Sequence, residues 1–166
     1  MNASGHDSPS SAAVRGAGSG RSATWPQVAL GARVRRLVLL VLAVSAVYVG
    51  VWALLAPASF FRSFPGGGQA WARTDGPYNE HLVRDVGALY LALLAVTCAG
   101  LLRPETDRAR VAGVAWLLFG VPHLAYHAVH LTMTHAAATT SVAQLTALAG
   151  TVVLAALLCV PARTAR

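Results

Sequence analysis

Residues 37–55 read LVLLVLAVSAVYVGVWALL, an uncharged apolar run of the length a helix needs to cross the hydrocarbon core of a bilayer, about 20 residues. Three similar runs follow at 82–102, 111–131 and 142–160. A water-soluble bundle would need a charged or strongly polar face at helical spacing along each run, and the first and last runs have none. Composition agrees: 11% of the residues are charged, less than half the share of roughly 25% found in soluble domains. The pattern predicts an all-α integral membrane four-helix bundle over 33–162. The tail before it, 1–32, is rich in Ser, Gly and Ala and cannot bury enough surface to offset the entropy of ordering, so it is expected to be disordered.

The formal charge of +7 arises from thirteen arginines and no lysine. Such a balance often signals nucleic-acid binding, but here the arginines collect at the ends of the apolar runs, which makes their role topological. Arg15, Arg21, Arg33, Arg35, Arg36, Arg103, Arg108, Arg110, Arg163 and Arg166 fall on one side of the membrane; Arg62, Arg73 and Arg84 fall on the other. Positive charge is retained in the cytoplasm, so both termini are expected inside and the 56–81 and 132–141 connections outside, in a cell membrane. The partner this implies is the lipid bilayer, with no nucleic acid; a homo-oligomer or a membrane partner subunit is compatible with the size. Cys98 and Cys159 lie in apolar runs without ligand spacing and read as small hydrophobes.

Polar residues gather at the outer ends of two spans. The second enters through Glu80, His81, Arg84 and Asp85; the third carries His123, His127 and His130 in its outer half, with His135 beyond it. Trp116, Gly120, His123, His127 and His130 recur at the alternating spacing of a packed seam. At about 1.5 Å per residue His123 lies roughly 12 Å below Leu131, too deep to reach water from a lipid-facing position. On the second span the arc of His81, Arg84 and Asp85 continues through Ala88, Ala92, Ala95 and Ala99, small residues that would admit a neighbouring helix. Pro122 removes a backbone donor just before His123 and is expected to kink the third helix.

Three chemistries fit such residues. Arg84 paired with Asp85 or Glu80, and histidines bonded to neighbours, would form a structural network. The same groups would form an ionisable, outward-opening pocket for a small ligand or a proton. His123 and His127, four residues apart, with His81, Glu80 or Asp85, would supply metal or haem ligands.

The stretches YVGVWALLAP (48–57) and RDVGALYLALL (84–94), within four spans, resemble the DoxX-like superfamily of small bacterial membrane proteins. YNEHLVRDVG (78–87) and VPHLAYHAVH (121–130) also resemble segments of an actinobacterial group of four-helix membrane proteins. The resemblance spans 37–160. It implies a four-helix membrane fold and an association with redox stress, one DoxX-like member being a subunit of a thiosulfate–quinone oxidoreductase. Arg84 and Gly87 would correspond to that superfamily's arginine-plus-glycine element, whereas the histidine stripe has no counterpart there.

The leading reading is a non-enzymatic or accessory membrane protein with an outward-facing pocket of His81, Arg84, Asp85, His123 and His127. The rival is a membrane oxidoreductase component that binds haem, metal or quinone. Transport is disfavoured by the small size and the lack of an internal repeat. The Gly66-Gly67-Gly68 stretch lacks the lysine and following helix of a phosphate-binding loop.

Overall fold

The computed structural model describes residues 29–104, 107–130 and 137–161. The expected tail up to residue 28, His135, Arg163 and Arg166 lie outside the described residues. The four long helices are α1 (Ala32–Leu55), α3 (Glu80–Leu102), α4 (Asp107–Val129) and α5 (Ala138–Cys159), each long and apolar enough to cross a membrane. A short helix, α2 (Pro57–Ser63), and a 3₁₀ turn at Trp71–Thr74 lie between α1 and α3.

The helices extend past the apolar runs for local reasons. Arg33, Arg35 and Arg36 are good helix formers and wind into the first turns of α1. Asn79 caps α3, its side-chain oxygen accepting the Leu82 amide at 3.2 Å. Asp107 opens α4, where a carboxylate favours the positive end of the helix dipole, so the charged residues Asp107, Arg108 and Arg110 belong to the helix. Pro57 occupies the start of α2, the position at which its missing N–H costs nothing.

α1 packs mainly on α3 and α4 mainly on α5; α3 against α4 and a lighter α1–α5 contact close the ring. The centre holds Leu39, Leu42, Ala46, Leu93, Ala112, Trp116, Ala155 and Leu158. One polar link crosses it: the Trp116 indole donates to Thr97 Oγ1 at 2.9 Å, and that hydroxyl donates to the Leu93 carbonyl at 2.7 Å. The large apolar residues on the outside are as informative as the core. Leu37, Val44, Leu55 and Leu118 are 62%, 68%, 72% and 74% exposed, a surface that water would not tolerate and lipid would.

Lipid is as apolar as leucine, so the helices associate through close packing. Gly87 of α3 meets α1 at Gly50 and Leu54, and Gly113 of α4 meets the Ala155 carbonyl and Leu158 of α5. Here the α3 expectation needs correction. His81, Arg84, Asp85, Ala88, Ala92 and Ala95 are exposed; the inward face is Gly87, Leu93, Thr97 and Gly100, with Tyr90 partly buried beside them.

Each end of the bundle has its own closure. At the end where α1 begins, called the arginine end below, Arg35 is 2% exposed and donates from Nε to the Pro104 carbonyl (2.6 Å) and from Nη1 to the Val160 carbonyl (2.7 Å). These carbonyls follow α3 and end α5, the positions where helices leave acceptors unfilled. At the opposite, histidine end, an aromatic group of Trp52, Phe60, Phe64 and Trp71 folds α2 and the 3₁₀ turn back onto α1.

Candidate functional site at the histidine end

The α4 stripe faces inward along its length. Trp116 and Gly120 are buried, and His123, His127 and His130 are partly buried. Its rings form a continuous series. Tyr90 of α3 meets Trp116 at 5.8 Å and Phe119 at 5.3 Å, edge to face; Phe119 stacks on His123 at 5.1 Å; His123 meets His127 perpendicularly at 4.9 Å. His130 stacks on Tyr126 at 4.2 Å, and its Nδ1 lies 2.8 Å from the Tyr126 carbonyl. A carbonyl can only accept, so the proton sits on Nδ1 of that ring.

The outermost member of the series comes from a loop. Asp75, just after the 3₁₀ turn, places Oδ1 3.9 Å from His127 Nδ1, with the His127 side chain 12% and the Asp75 side chain 32% exposed. Partial burial pushes the Asp75 carboxyl above the ordinary carboxylate range, against the opposing attraction of His127. Asp75, His127 and His123 therefore form a file of titratable groups leading from the loop into the bundle. The sequence marks Asp75 only as part of an Asp-Gly-Pro turn; nothing in its spacing announces a partner some fifty positions away.

The polar group on α3 is organised separately. Arg84 pairs with Glu80 (Nη2–Oε1 2.8 Å) and donates from Nη1 to the Leu54 carbonyl, filling an open acceptor at the end of α1. His81 Nε2 lies 3.4 Å from Asp85 Oδ2, with side chains 87% and 59% exposed. No hydrogen bond, ion pair or ring contact joins Glu80, His81, Arg84 or Asp85 to His123, His127 or His130 among the described residues. The candidate metal set His123, His127 and His81 is thus not assembled, and no three His, Cys, Asp or Glu side chains converge on a metal-holding geometry among the described residues. The reason lies in helix rotation: His81 and Asp85 share the exposed arc of α3, while the histidines point toward the ring's interior.

Other polar groups near this end carry no signal in the sequence. Ser141 and Gln144, in the first turns of α5, are 8% and 7% exposed. α5 runs antiparallel to α4, with Val152 against Gly120. Stepping toward the histidine end from that contact brings Gln144 and Ser141 level with His127 and His130. The buried Trp71 Nε1 has no hydrogen-bond partner among the described residues.

Four apolar spans closed into a ring, with imidazoles and a carboxylate at one end and a buried arginine at the other, define a multi-pass integral membrane protein. The chain belongs to the DUF4345 family, described as a domain of unknown function, whose model matches residues 34–140. That match takes in all but the first two residues of α1, then α2 to α4 and the whole file from Asp75 to His123. No curated protein and no solved structure matches the chain.

Proposed function

We propose that this is an accessory, non-enzymatic protein of the cell membrane, with the arginine end in the cytoplasm and a site at the outward-facing histidine end that takes up a proton or a small polar ligand. The observation that carries the reading is the Asp75–His127–His123 file, with its 3.9 Å and 4.9 Å steps. Intramembrane ionisable groups are costly and mark functional positions by default. Imidazole is the side chain whose charge responds near physiological pH. The orientation rests on the partition of arginines between the two ends. The Glu80–Arg84 and His81–Asp85 pairs stand at the same end on the neighbouring helix and form the charged rim of this site. The likeness of Arg84 and Gly87 to the DoxX-like element belongs to the same reading, in which both hold α3 on α1 at Leu54.

The test is imidazole NMR in lipid nanodiscs, comparing the wild type with Asp75→Asn. Removing the carboxylate should move the ring resonances of His127 and, more weakly, those of His123. Imidazole resonances indifferent to Asp75→Asn would overturn the proposal. So would a Soret band or stoichiometric metal in the purified protein, lost in His123→Ala, which would favour the oxidoreductase reading.

A further inference from the structure

Among the described residues of α5 the buried ones are Ser141, Gln144, Ala155 and Leu158. At 3.6 residues per turn they share an arc of about 100°. Ala155 and Leu158 meet Gly113 of α4, so the whole arc, Gln144 and Ser141 included, is turned toward α4. The antiparallel register set by Val152 against Gly120 brings Gln144 level with His127. Two polar walls therefore face each other at the histidine end, imidazoles on α4 and a carboxamide and a hydroxyl on α5. Neither the Gln144 nor the Ser141 side chain makes a hydrogen bond among the described residues, and neither does His127 Nε2. Buried polar groups are almost always bonded, to protein or to ordered water. Among the described residues the only wholly enclosed side-chain N or O without a partner is Trp71 Nε1, so the Gln144 amide keeps an edge that a molecule the size of water can reach. The steps of the file are open as well. Asp75 Oδ1 and His127 Nδ1 are 3.9 Å apart, beyond direct hydrogen-bond range, and His127 meets His123 edge to face. A polar separation of that length is one that a water molecule spans.

We infer that the histidine end binds ordered water between α4 and α5, held by Gln144, Ser141 and His127 Nε2 and reaching the Asp75 carboxylate. A buried water makes about three hydrogen bonds to groups that would otherwise go without. The carboxamide, the hydroxyl and the imidazole supply both donors and acceptors, as water requires. The α5 wall carries no charge, and Asp75 already has His127 opposite it, so a neutral molecule suits the site better than an ion. Water also gives the file a hydrogen-bonded path for a proton between the carboxylate and the imidazoles. That role rests on the proton reading proposed above; the presence of the water does not. Gln144 and Ser141 are thereby positioning residues, acting on the histidines through the molecule they hold.

The experiment is water-edited solid-state NMR on the full chain in phosphatidylcholine vesicles, in which magnetisation passes from water to the protein. At short mixing times the Gln144 amide and the His127 ring should receive signal, while the Trp116 indole, bonded to Thr97 in the core, stays dark. Gln144→Leu keeps the bulk and removes both hydrogen-bonding atoms, so transfer to His127 should fall toward the Trp116 level. Ser141→Ala should lower it in part, and Gln144→Asn should restore more of it than leucine does. An unchanged Trp116 resonance checks that each variant is folded, and the wild-type spectrum is decisive without them. Asp75→Asn retains a hydrogen-bonding group at the mouth and should leave transfer to Gln144 in place, whatever it does to the imidazole resonances. The water site and the proton reading therefore fail separately. The inference is overturned if the wild-type Gln144 amide is as dark as the Trp116 indole, if its magnetisation comes from lipid chains instead of water, or if Gln144→Leu leaves transfer to His127 undiminished.

Discussion

Gly87 stands so close to α1 that a Cβ built on it would lie 2.6 Å from the Leu54 amide nitrogen. The obstacle is backbone on the facing helix, which cannot swing aside as a side chain can. Gly87→Ala should push α1 and α3 apart at an overpacking cost of roughly 1–3 kcal/mol. Thermal unfolding in detergent should show a clearly lower midpoint, whereas Ala88→Leu, on the exposed arc next door, should stay near the wild type. Equal midpoints for Gly87→Ala and the wild type would contradict the close approach.

The Trp116–Thr97 bond is a polar link between α3 and α4 in the core. Hydrogen bonds between membrane helices contribute about 0.6 kcal/mol on average and up to about 1.7. Thr97→Val keeps the volume but strands a buried indole donor, so its cost should lie toward the upper figure. Adding Trp116→Phe should then cost less than it does in the wild-type background, and a double-mutant cycle in a reversible unfolding assay reads that coupling. Strict additivity would mean that the bond contributes nothing.

Arg35 joins three segments through two carbonyls. Arg35→Gln should destabilise the bundle by roughly 1.5–3 kcal/mol, the range for hydrogen bonds made by charged groups. Arg35→Lys should rescue it poorly, because an ammonium at the end of a flexible stem cannot hold the two acceptors that the fork spans. Limited proteolysis at the arginine end should accelerate in both variants, and full protection of the lysine variant would refute the two-carbonyl clamp.

The pH dependence follows from Asp75. Its folded-state carboxyl is raised, so the folded protein holds that proton more tightly than the unfolded chain does. Stability from this group is therefore complete below the ordinary carboxylate range near pH 4 and is lost as pH rises through the raised folded value. Asp75→Asn removes the titration. Its stability relative to the wild type should rise across that interval, and a difference independent of pH would count against the burial of the carboxylate.

The spans were legible because length and the absence of charge are one-dimensional properties. The α4 stripe was legible too: Trp116, Gly120 and the three histidines differ so much from their neighbours that 3.6-residue spacing alone places them on one face. The α3 face was not. That helix carries small residues on two arcs, Ala88, Ala92 and Ala95 on one and Gly87 and Gly100 on the other, and both arcs suit close packing. In water, polarity would have told the inside from the outside; in lipid both are apolar, and the choice falls to which backbone approaches a neighbour. Asp75 was missed for a different reason. Its partner is set by where α2 and the 3₁₀ turn lay the loop across the bundle end, and that path depends on aromatic packing among Trp52, Phe60, Phe64 and Trp71.

The Leu30 amide donates to the Pro161 carbonyl at 2.9 Å, so the entry to α1 and the exit from α5 are stitched side by side. A bundle whose first and last helices meet in this way can be rewired. A short linker from Pro161 to Leu30, with new ends cut at the exposed Gly67-Gly68 turn, would yield a circular permutant that inserts α3 first and α1 last.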